Sequence, residues 1–226
     1  MSIRKQNLLL GRLPSNELAT LSSILTPVRL AKNLLVLESR KASDFVYFPI
    51  DAVISFAGDM GQGGTIEVWT VGGEGVAGIS SVFAAANPFR GVVVVPGTAL
   101  KAPVAKIRRF FNESGPFHQA ALSYYHYLLV QISYLGICNN SHPLVQRLGR
   151  WLLTMQERAG TQDLKFTQEV IASMLGTRRA TISVAAAALQ SAGLISYTPG
   201  SITIKSRSGL KKMACGCHKV IGANSK

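Results

Sequence analysis

The stretch 166–183 reads FTQEVIASMLGTRRATIS, the pattern of two short helices joined by a tight turn. Thr167 is a suitable N-cap for a first helix over 168–175, because its hydroxyl can accept a hydrogen bond from a free backbone N–H. Gly176 ends that helix, since glycine takes the left-handed backbone conformation without steric cost.

The residues that follow extend this pattern into a larger unit. Thr177 can cap a second helix over 178–192, and Gly193 ends it. Two short apolar runs, 194–197 and 202–205, then form a hairpin around a Pro-Gly turn. This order of a helix, a glycine turn, a second helix and a two-stranded wing is that of a winged helix-turn-helix. Such a unit places its second helix in the major groove of DNA.

Side-chain chemistry in this unit supports DNA binding. Arg178 and Arg179 stand at the start of the second helix, and an arginine can contact guanine O6 and N7 together. Hydroxyl, amide and basic groups can contact phosphates or bases. The predicted DNA-binding residues are Thr167, Gln168, Thr177, Arg178, Arg179, Thr181, Ser183, Lys205, Arg207, Lys211 and Lys212. The competing interpretation is an ordinary helical hairpin with a solvated basic face.

The charge of the chain agrees with a polyanionic partner. Lys and Arg number 24 against 11 Asp and Glu, and 12 of these basic residues but only 3 of the acidic ones follow Ser141. Such a balance is typical of proteins that meet nucleic acid or an anionic membrane surface. Because no apolar stretch reaches about 18 residues, we expect no transmembrane helix, no membrane partner and a cytoplasmic protein.

The preceding part of the chain divides into a β-rich region and a long helix. From about residue 28 to 104, short apolar runs alternate with glycine-rich turns, which predicts an antiparallel barrel or sandwich. The run 117–140 has no Asp, Glu, Lys or Arg and is apolar most of the way round. It is either a helix buried within one domain or a helix that also packs on a second copy. We favour the dimer seam, formed by Tyr125, Leu128, Leu129, Ile132 and Leu135.

Three cysteines, Cys138, Cys215 and Cys217, are too few for a disulfide framework and favour a reducing compartment. The run Cys215-Gly216-Cys217-His218 offers two thiolates and an imidazole, and a fourth zinc ligand would have to come from Cys138 or another histidine. A redox-sensitive dithiol and a plain structural tail are the alternatives. We favour the tail and expect no metal and no cofactor.

The order of these parts, with the stretch 166–183 and the run 189–195 (LQSAGLI), resembles the Crp/Fnr family of bacterial transcription regulators. The resemblance implies an α+β fold: a cyclic-nucleotide-binding-type, jelly-roll-like β-roll (a double-stranded β-helix) over 1–115, a dimerisation helix and hinge over 116–141, and a winged helix-turn-helix over 142–226. It also implies a homodimer on a two-fold symmetric promoter site of double-stranded DNA, and contact with RNA polymerase. The iron–sulfur members carry an N-terminal cysteine cluster, which is missing here.

The chain departs from the cyclic-AMP-responsive members in its second helix. Those members begin it with Arg-Glu and carry a further Arg one turn on. Here Arg179 matches the first position, but Ala180 and Val184 occupy the other two. Alanine cannot accept a hydrogen bond from cytosine N4 and valine cannot read guanine, so we expect a different half-site, with Arg178 compensating.

The effector pocket departs as well. In those members a Gly-Glu pair holds the ribose and an Arg-Ser pair holds the phosphate, where this chain has Gly78-Ile79 and Arg90-Gly91. Only Arg90 keeps the phosphate-binding chemistry, and Glu74 is a substitute acceptor for the ribose. We therefore expect a different small effector, or none.

The function predicted from the sequence is sequence-specific DNA binding in transcription regulation. We find no P-loop, nucleophile elbow or Ser/His/Asp set, and expect no enzymatic activity. The alternative is a small-molecule or cyclic-nucleotide-binding module without specific DNA binding. Effector identity, operator sequence, and activation as against repression stay open.

Overall fold

A computed structural model describes residues 6–59, 61, 64–83 and 85–223 of the chain. Two short helices come first, α1 (Leu8–Gly11) and α2 (Ser15–Ser22). The strands of the N-terminal domain are β1 (Thr26–Leu30), β2 (Leu35–Leu37), β3 (Phe45–Pro49), β4 (Val53–Asp59), β5 (Thr65–Val71), β6 (Arg90–Val95) and β7 (Gly97–Pro103). A 3-10 helix, Ile79–Phe83, connects β5 to β6.

These strands form two antiparallel sheets, in the orders β1-β7-β3 and β2-β6-β4-β5. Apolar residues from both sheets, among them Leu30, Ile54, Phe56 and Val93, form one core. The sheet-rich N-terminal domain that the apolar runs predicted is therefore confirmed. The sequence pattern missed β1, whose exposed Pro27 is tolerated because β1 is an edge strand.

Two helices follow, α3 (Val104–Asn112) and α4 (Pro116–Ser141), the long helix predicted from the uncharged run. Pro116 suits the first turn, where its missing N–H would have had no partner in the helix. One side of α4 packs on the N-terminal domain through buried side chains that include Phe117, Ala121, Tyr124 and Leu128.

The C-terminal domain is mainly helical and has one small sheet. Its elements are α5 (Leu144–Ala159), β8 (Asp163–Leu164), α6 (Gln168–Met174), α7 (Arg179–Ser191), β9 (Ile195–Thr198), β10 (Ser201–Ile204), α8 (Arg207–Met213) and α9 (Cys217–Ala223). The sheet order is β8-β10-β9, so the predicted wing has an additional strand, β8. Buried Trp151, Phe166, Ile182 and Leu189 share one core with this sheet's Ile202.

The two domains pack closely on each other. Val53 and Val94 of the N-terminal domain belong to the C-terminal core, and Ile221 of α9 belongs to the N-terminal core. No helix in the described part of the chain has the length and apolar character that a membrane crossing needs.

Candidate nucleic-acid interface

The turn between α6 and α7 is fixed by backbone hydrogen bonds around Gly176. The N–H of Thr177 donates to the Ala172 carbonyl (2.9 Å) and the N–H of Gly176 to the Ser173 carbonyl (3.3 Å). This is a Schellman ending, and it requires the positive φ of 60° that Gly176 adopts. Thr167 caps α6 as predicted, its hydroxyl accepting from the Val170 N–H.

The predicted cap of α7 was wrong by one residue. The N-cap is Arg178, which has an extended backbone (φ −82°, ψ 145°), and not Thr177. Thr177 belongs to the Schellman ending of α6, and α7 begins one residue later than expected, at Arg179. Both arginines are exposed at the start of this helix.

Arg179 is paired with an acidic neighbour on α6. Its Nε lies 3.3 Å from Oε1 of Glu169, and both side chains are mostly in solvent. An exposed pair of this kind contributes little stability, so it can exchange for a contact with DNA at small cost.

Helix α7 is held from its inner side, which leaves a second face free. Ile182, Ala185, Ala186 and Leu189 are buried in the C-terminal core. The exposed face carries small or apolar side chains, and Val184 is 70% exposed. The members of this outer face are Ala180, Thr181, Val184, Ala187 and Ala188. This outer face is therefore open to solvent along the helix.

Two predicted DNA-binding residues contact each other. The Ser183 hydroxyl donates to Oε1 of Gln168 at 2.6 Å, and so connects α7 to the start of α6. The structure therefore gives both residues a role in bracing the two helices. The basic residues after the wing differ among themselves: Lys205, Lys211 and Lys212 are exposed, whereas Arg207 is ion-paired with Glu157.

The helix-turn-helix also contacts the N-terminal domain. The Ser173 hydroxyl donates to the Thr65 carbonyl at 3.1 Å, and a Cβ at Gly176 would lie 2.5 Å from Cδ1 of Ile66. A cleft of about 750 Å³ separates the start of β5 from Arg178 and Thr181. The N-terminal domain therefore stands beside the beginning of α7.

The predicted effector residues do not form one site. Gly78 and Ile79 line a cavity of about 300 Å³ between the β-roll and α4, but Glu74, Arg90 and Gly91 do not. The cavity is mainly apolar, with aromatic walls from Phe56, Trp69, Phe89 and Tyr125 and a floor that includes Leu128, Leu129 and Ile132. No Lys or Arg is among the described residues that line it.

Glu74 forms a buried ion pair instead. Its Oε1 lies 2.8 Å from a guanidinium nitrogen of Arg158 on α5, and both side chains are over nine-tenths buried. Arg158 also donates to the Tyr127 hydroxyl of α4 at 2.9 Å. Glu74 therefore lies outside the cavity that contains Gly78 and Ile79, and its carboxylate connects the two domains.

The exposed side of α4 presents an apolar stripe. Leu129 is 65% exposed, and Leu122, Ile132 and Ile137 are also exposed. Successive positions of the stripe are alternately three and four residues apart, as on one seam of a coiled coil. These positions are Leu122, Tyr125, Leu129, Ile132 and Gly136. Leu128 was wrongly predicted for this seam, because it is only 8% exposed and packs inside its own subunit. Leu135 is half-buried against the same core.

Comparison with known proteins agrees with this geometry. Residues 146–213 match the family model of the Crp-like helix-turn-helix domain. No curated protein matches the chain in sequence. Among solved structures, FixK2 from Bradyrhizobium japonicum is 13% identical with a TM-score of 0.73, covering 85% of this chain and 98% of FixK2.

Two other solved structures show the same fold. CLP from Xanthomonas campestris, a c-di-GMP-responsive global regulator, is 11% identical with a TM-score of 0.69, covering 85% of this chain and all of CLP. A Crp/Fnr family regulator from Eubacterium rectale is 17% identical with a TM-score of 0.68, covering 91% of this chain and 96% of its own. The chain is thus Crp/Fnr-like: it has the fold of these regulators and carries a Crp-like helix-turn-helix DNA-binding domain.

Proposed function

We propose that this protein regulates transcription as a homodimer that binds a two-fold symmetric DNA site through α7 of each subunit. The observation that supports this proposal is the exposed outer face of α7. Two exposed arginines stand at the start of this helix, and its opposite face is buried in the C-terminal core. A helix of this kind contacts base edges with its N-terminal residues while the preceding helix crosses the backbone.

The side chains on that face define what it reads. Arg179 is the candidate for a bidentate contact with guanine O6 and N7, and Arg178 for a neighbouring base or phosphate. Ala180 and Val184 offer methyl groups, which match the C5-methyl group of thymine. Thr167, Thr177 and Thr181, with the exposed lysines 205, 211 and 212, are candidates for phosphate contacts.

The apolar stripe of α4 is the proposed dimer seam. A second copy packed on this stripe about a two-fold axis would bury its exposed leucine and isoleucine side chains. A two-fold DNA site needs the two α7 helices about one turn of DNA apart. Contact between the DNA-bound dimer and RNA polymerase stays a prediction from the family resemblance.

Arg179→Ala should lower the difference in binding free energy between the preferred DNA sequence and sequences with another base at the contacted position. We expect a loss of about 1–3 kcal/mol, because the change removes a bidentate base contact. Selection of bound fragments from random duplex DNA, with the wild-type and variant chains, measures this change. The wild-type chain should select a two-fold symmetric site, and the variant should lose preference at one position of each half-site.

A matched control separates base reading from charge. Lys212→Ala also removes one positive charge, but we expect weaker binding to all sequences and a smaller dependence on salt. If Arg179→Ala keeps the wild-type sequence preference, Arg179 does not read a base. If the wild-type chain selects no symmetric site at moderate ionic strength, the proposed function fails.

Cyclic AMP should not bind in the cavity beside α4, because the aromatic and aliphatic walls supply no positive charge for its phosphate. We infer that the effector suited to this cavity is a small and mainly apolar molecule. Calorimetry with cyclic AMP and cyclic GMP should give no heat of binding. Micromolar affinity for either, abolished by Ile79→Arg in the cavity wall, would contradict this inference.

A further inference from the structure

Four metal-binding side chains from two distant parts of the sequence meet at the end of α4. They are Cys138, His142, Cys215 and Cys217, and their ligand atoms all lie within 4.8 Å of one another. Sγ of Cys138 lies 3.4 Å from Sγ of Cys215, and Sγ of Cys217 lies 3.8 Å from Nδ1 of His142. All three cysteines are buried.

The local structure brings the two ligands at the end of α4 and the two ligands between α8 and α9 to the same place. Cys138 lies in the last turn of α4, and His142 is the extended C-cap residue of this helix, whose N–H donates to the Cys138 carbonyl at 3.2 Å. Cys215 and Cys217 stand on either side of Gly216, where α8 has ended and α9 begins. Gly216 has open space around its Cα, so the short link is free of steric conflict.

We propose that Cys138, His142, Cys215 and Cys217 form a structural zinc site. Three cysteines and one histidine are an established ligand set for tetrahedral zinc in which all four positions come from the protein. With Zn–S bonds of about 2.3 Å, the edges of such a tetrahedron are about 3.8 Å, close to the distances seen here. The separation of 3.4 Å between Cys138 and Cys215 is too long for a disulfide, whose S–S bond is about 2.05 Å.

Nearby charge fits an anionic zinc centre. Zinc with three thiolates and a neutral imidazole carries a net negative charge, which needs compensation when buried. Arg150 is 4% exposed, and its Nε has no hydrogen-bond partner within the described structure. The positive charge of Arg150 acts directly on Cys138, the ligand from α4.

This assignment replaces the expectation of a plain tail without metal. His218, next to Cys217 in sequence, does not belong to the cluster, because its Nε2 lies 3.3 Å from Oε2 of Glu157. The histidine that belongs is His142, 75 residues from Cys217. Zinc here would attach α9 to the end of α4, where the dimer helix meets the DNA-binding domain, and so hold the tail in place across the hinge.

Metal content of the full chain tests the proposal without any DNA. The chain, purified under reducing conditions, should contain one zinc ion per molecule by inductively coupled plasma mass spectrometry. Cys217→Ser should lower zinc affinity at least about 100-fold, more than the loss of an outer-shell partner does. His218→Ala is the matched control, since it removes the neighbouring histidine outside the cluster, and should keep its zinc.

Substitution of cobalt for zinc identifies the ligands by their absorption. It also allows a test with a variant that keeps four ligands, so that the result does not depend on cysteine variants that fail to fold. Co²⁺ should give the absorption of a tetrahedral site with thiolate charge-transfer bands, and His142→Cys should strengthen those bands while keeping one metal per chain. A reduced chain that binds no zinc, that carries iron instead, or that keeps its zinc in Cys217→Ser would overturn the proposal. A Cys138–Cys215 disulfide in place of metal would overturn it as well.

Discussion

Replacing Leu129 by Asp should convert the proposed dimer into monomers. Leu129 is 65% exposed in the middle of the apolar stripe on α4, and each subunit contributes one copy. A buried central apolar residue is worth about 2 kcal/mol in an interface, so two copies give about 4 kcal/mol, or about a thousand-fold weaker dimer. Sedimentation equilibrium at several protein concentrations measures the dissociation constant.

Ser123→Asp is the control for this change. Ser123 is exposed on the same helix but lies away from the stripe, so the added charge should leave the dimer intact. Circular dichroism should show equal helix content in both variants. A Leu129→Asp chain that still sediments as a dimer would place the seam on another surface. Because two α7 helices must bind together, the monomeric variant should also lose affinity for a two-fold site more than for a half-site.

Glu74→Ala should lower the free energy of unfolding by about 3–5 kcal/mol. The change leaves Arg158 buried without the carboxylate that faces it at 2.8 Å, and a lone buried charge is costly. The side chain of Glu74 also accepts a hydrogen bond from the N–H of Gly72, which would be lost. Urea unfolding of the full chain, followed by circular dichroism and tryptophan fluorescence, measures the effect.

Two controls show whether buried charge is the cause. Replacing both partners, as Glu74→Leu with Arg158→Met, should recover most of the stability, because two apolar side chains need no counter-charge. Glu113→Ala removes one partner of the exposed Arg109–Glu113 pair and should change little. A loss below about 1 kcal/mol in Glu74→Ala would mean that Arg158 finds water or another partner.

The helix-turn-helix could be predicted from the sequence because its determinants are local. Thr167 and Gly176 act on backbone groups within a few residues of themselves, and the apolar spacing of α7 sets which side is buried. The cap predicted at Thr177 was wrong by one residue, and Thr177 belongs to the preceding turn instead. Its N–H closes the Schellman ending of α6, and this hydrogen bond is not visible from cap preferences alone.

Leu128 and Leu129 show that the local sequence pattern does not predict which side of α4 is buried. Both are leucines in an uncharged helix, but the first is buried in its own subunit and the second is largely exposed. Only the rotation of α4 against the β-roll separates them, and that rotation depends on the shape of the whole N-terminal core. Glu74 is similar, since its partner Arg158 lies 84 residues away in another domain.

The Crp-like helix-turn-helix and the arginines proposed to read DNA follow from residues that are close together in the chain, because helix caps, turns and apolar periodicity are properties of short segments. The zinc ligands and the domain-linking ion pair depend instead on which distant segments pack together. Cys138 and Cys215 are 77 residues apart and become neighbours only because α9 folds back against the end of α4. Long-range packing of this kind reflects the summed contacts of many side chains, and no single motif in the sequence records it.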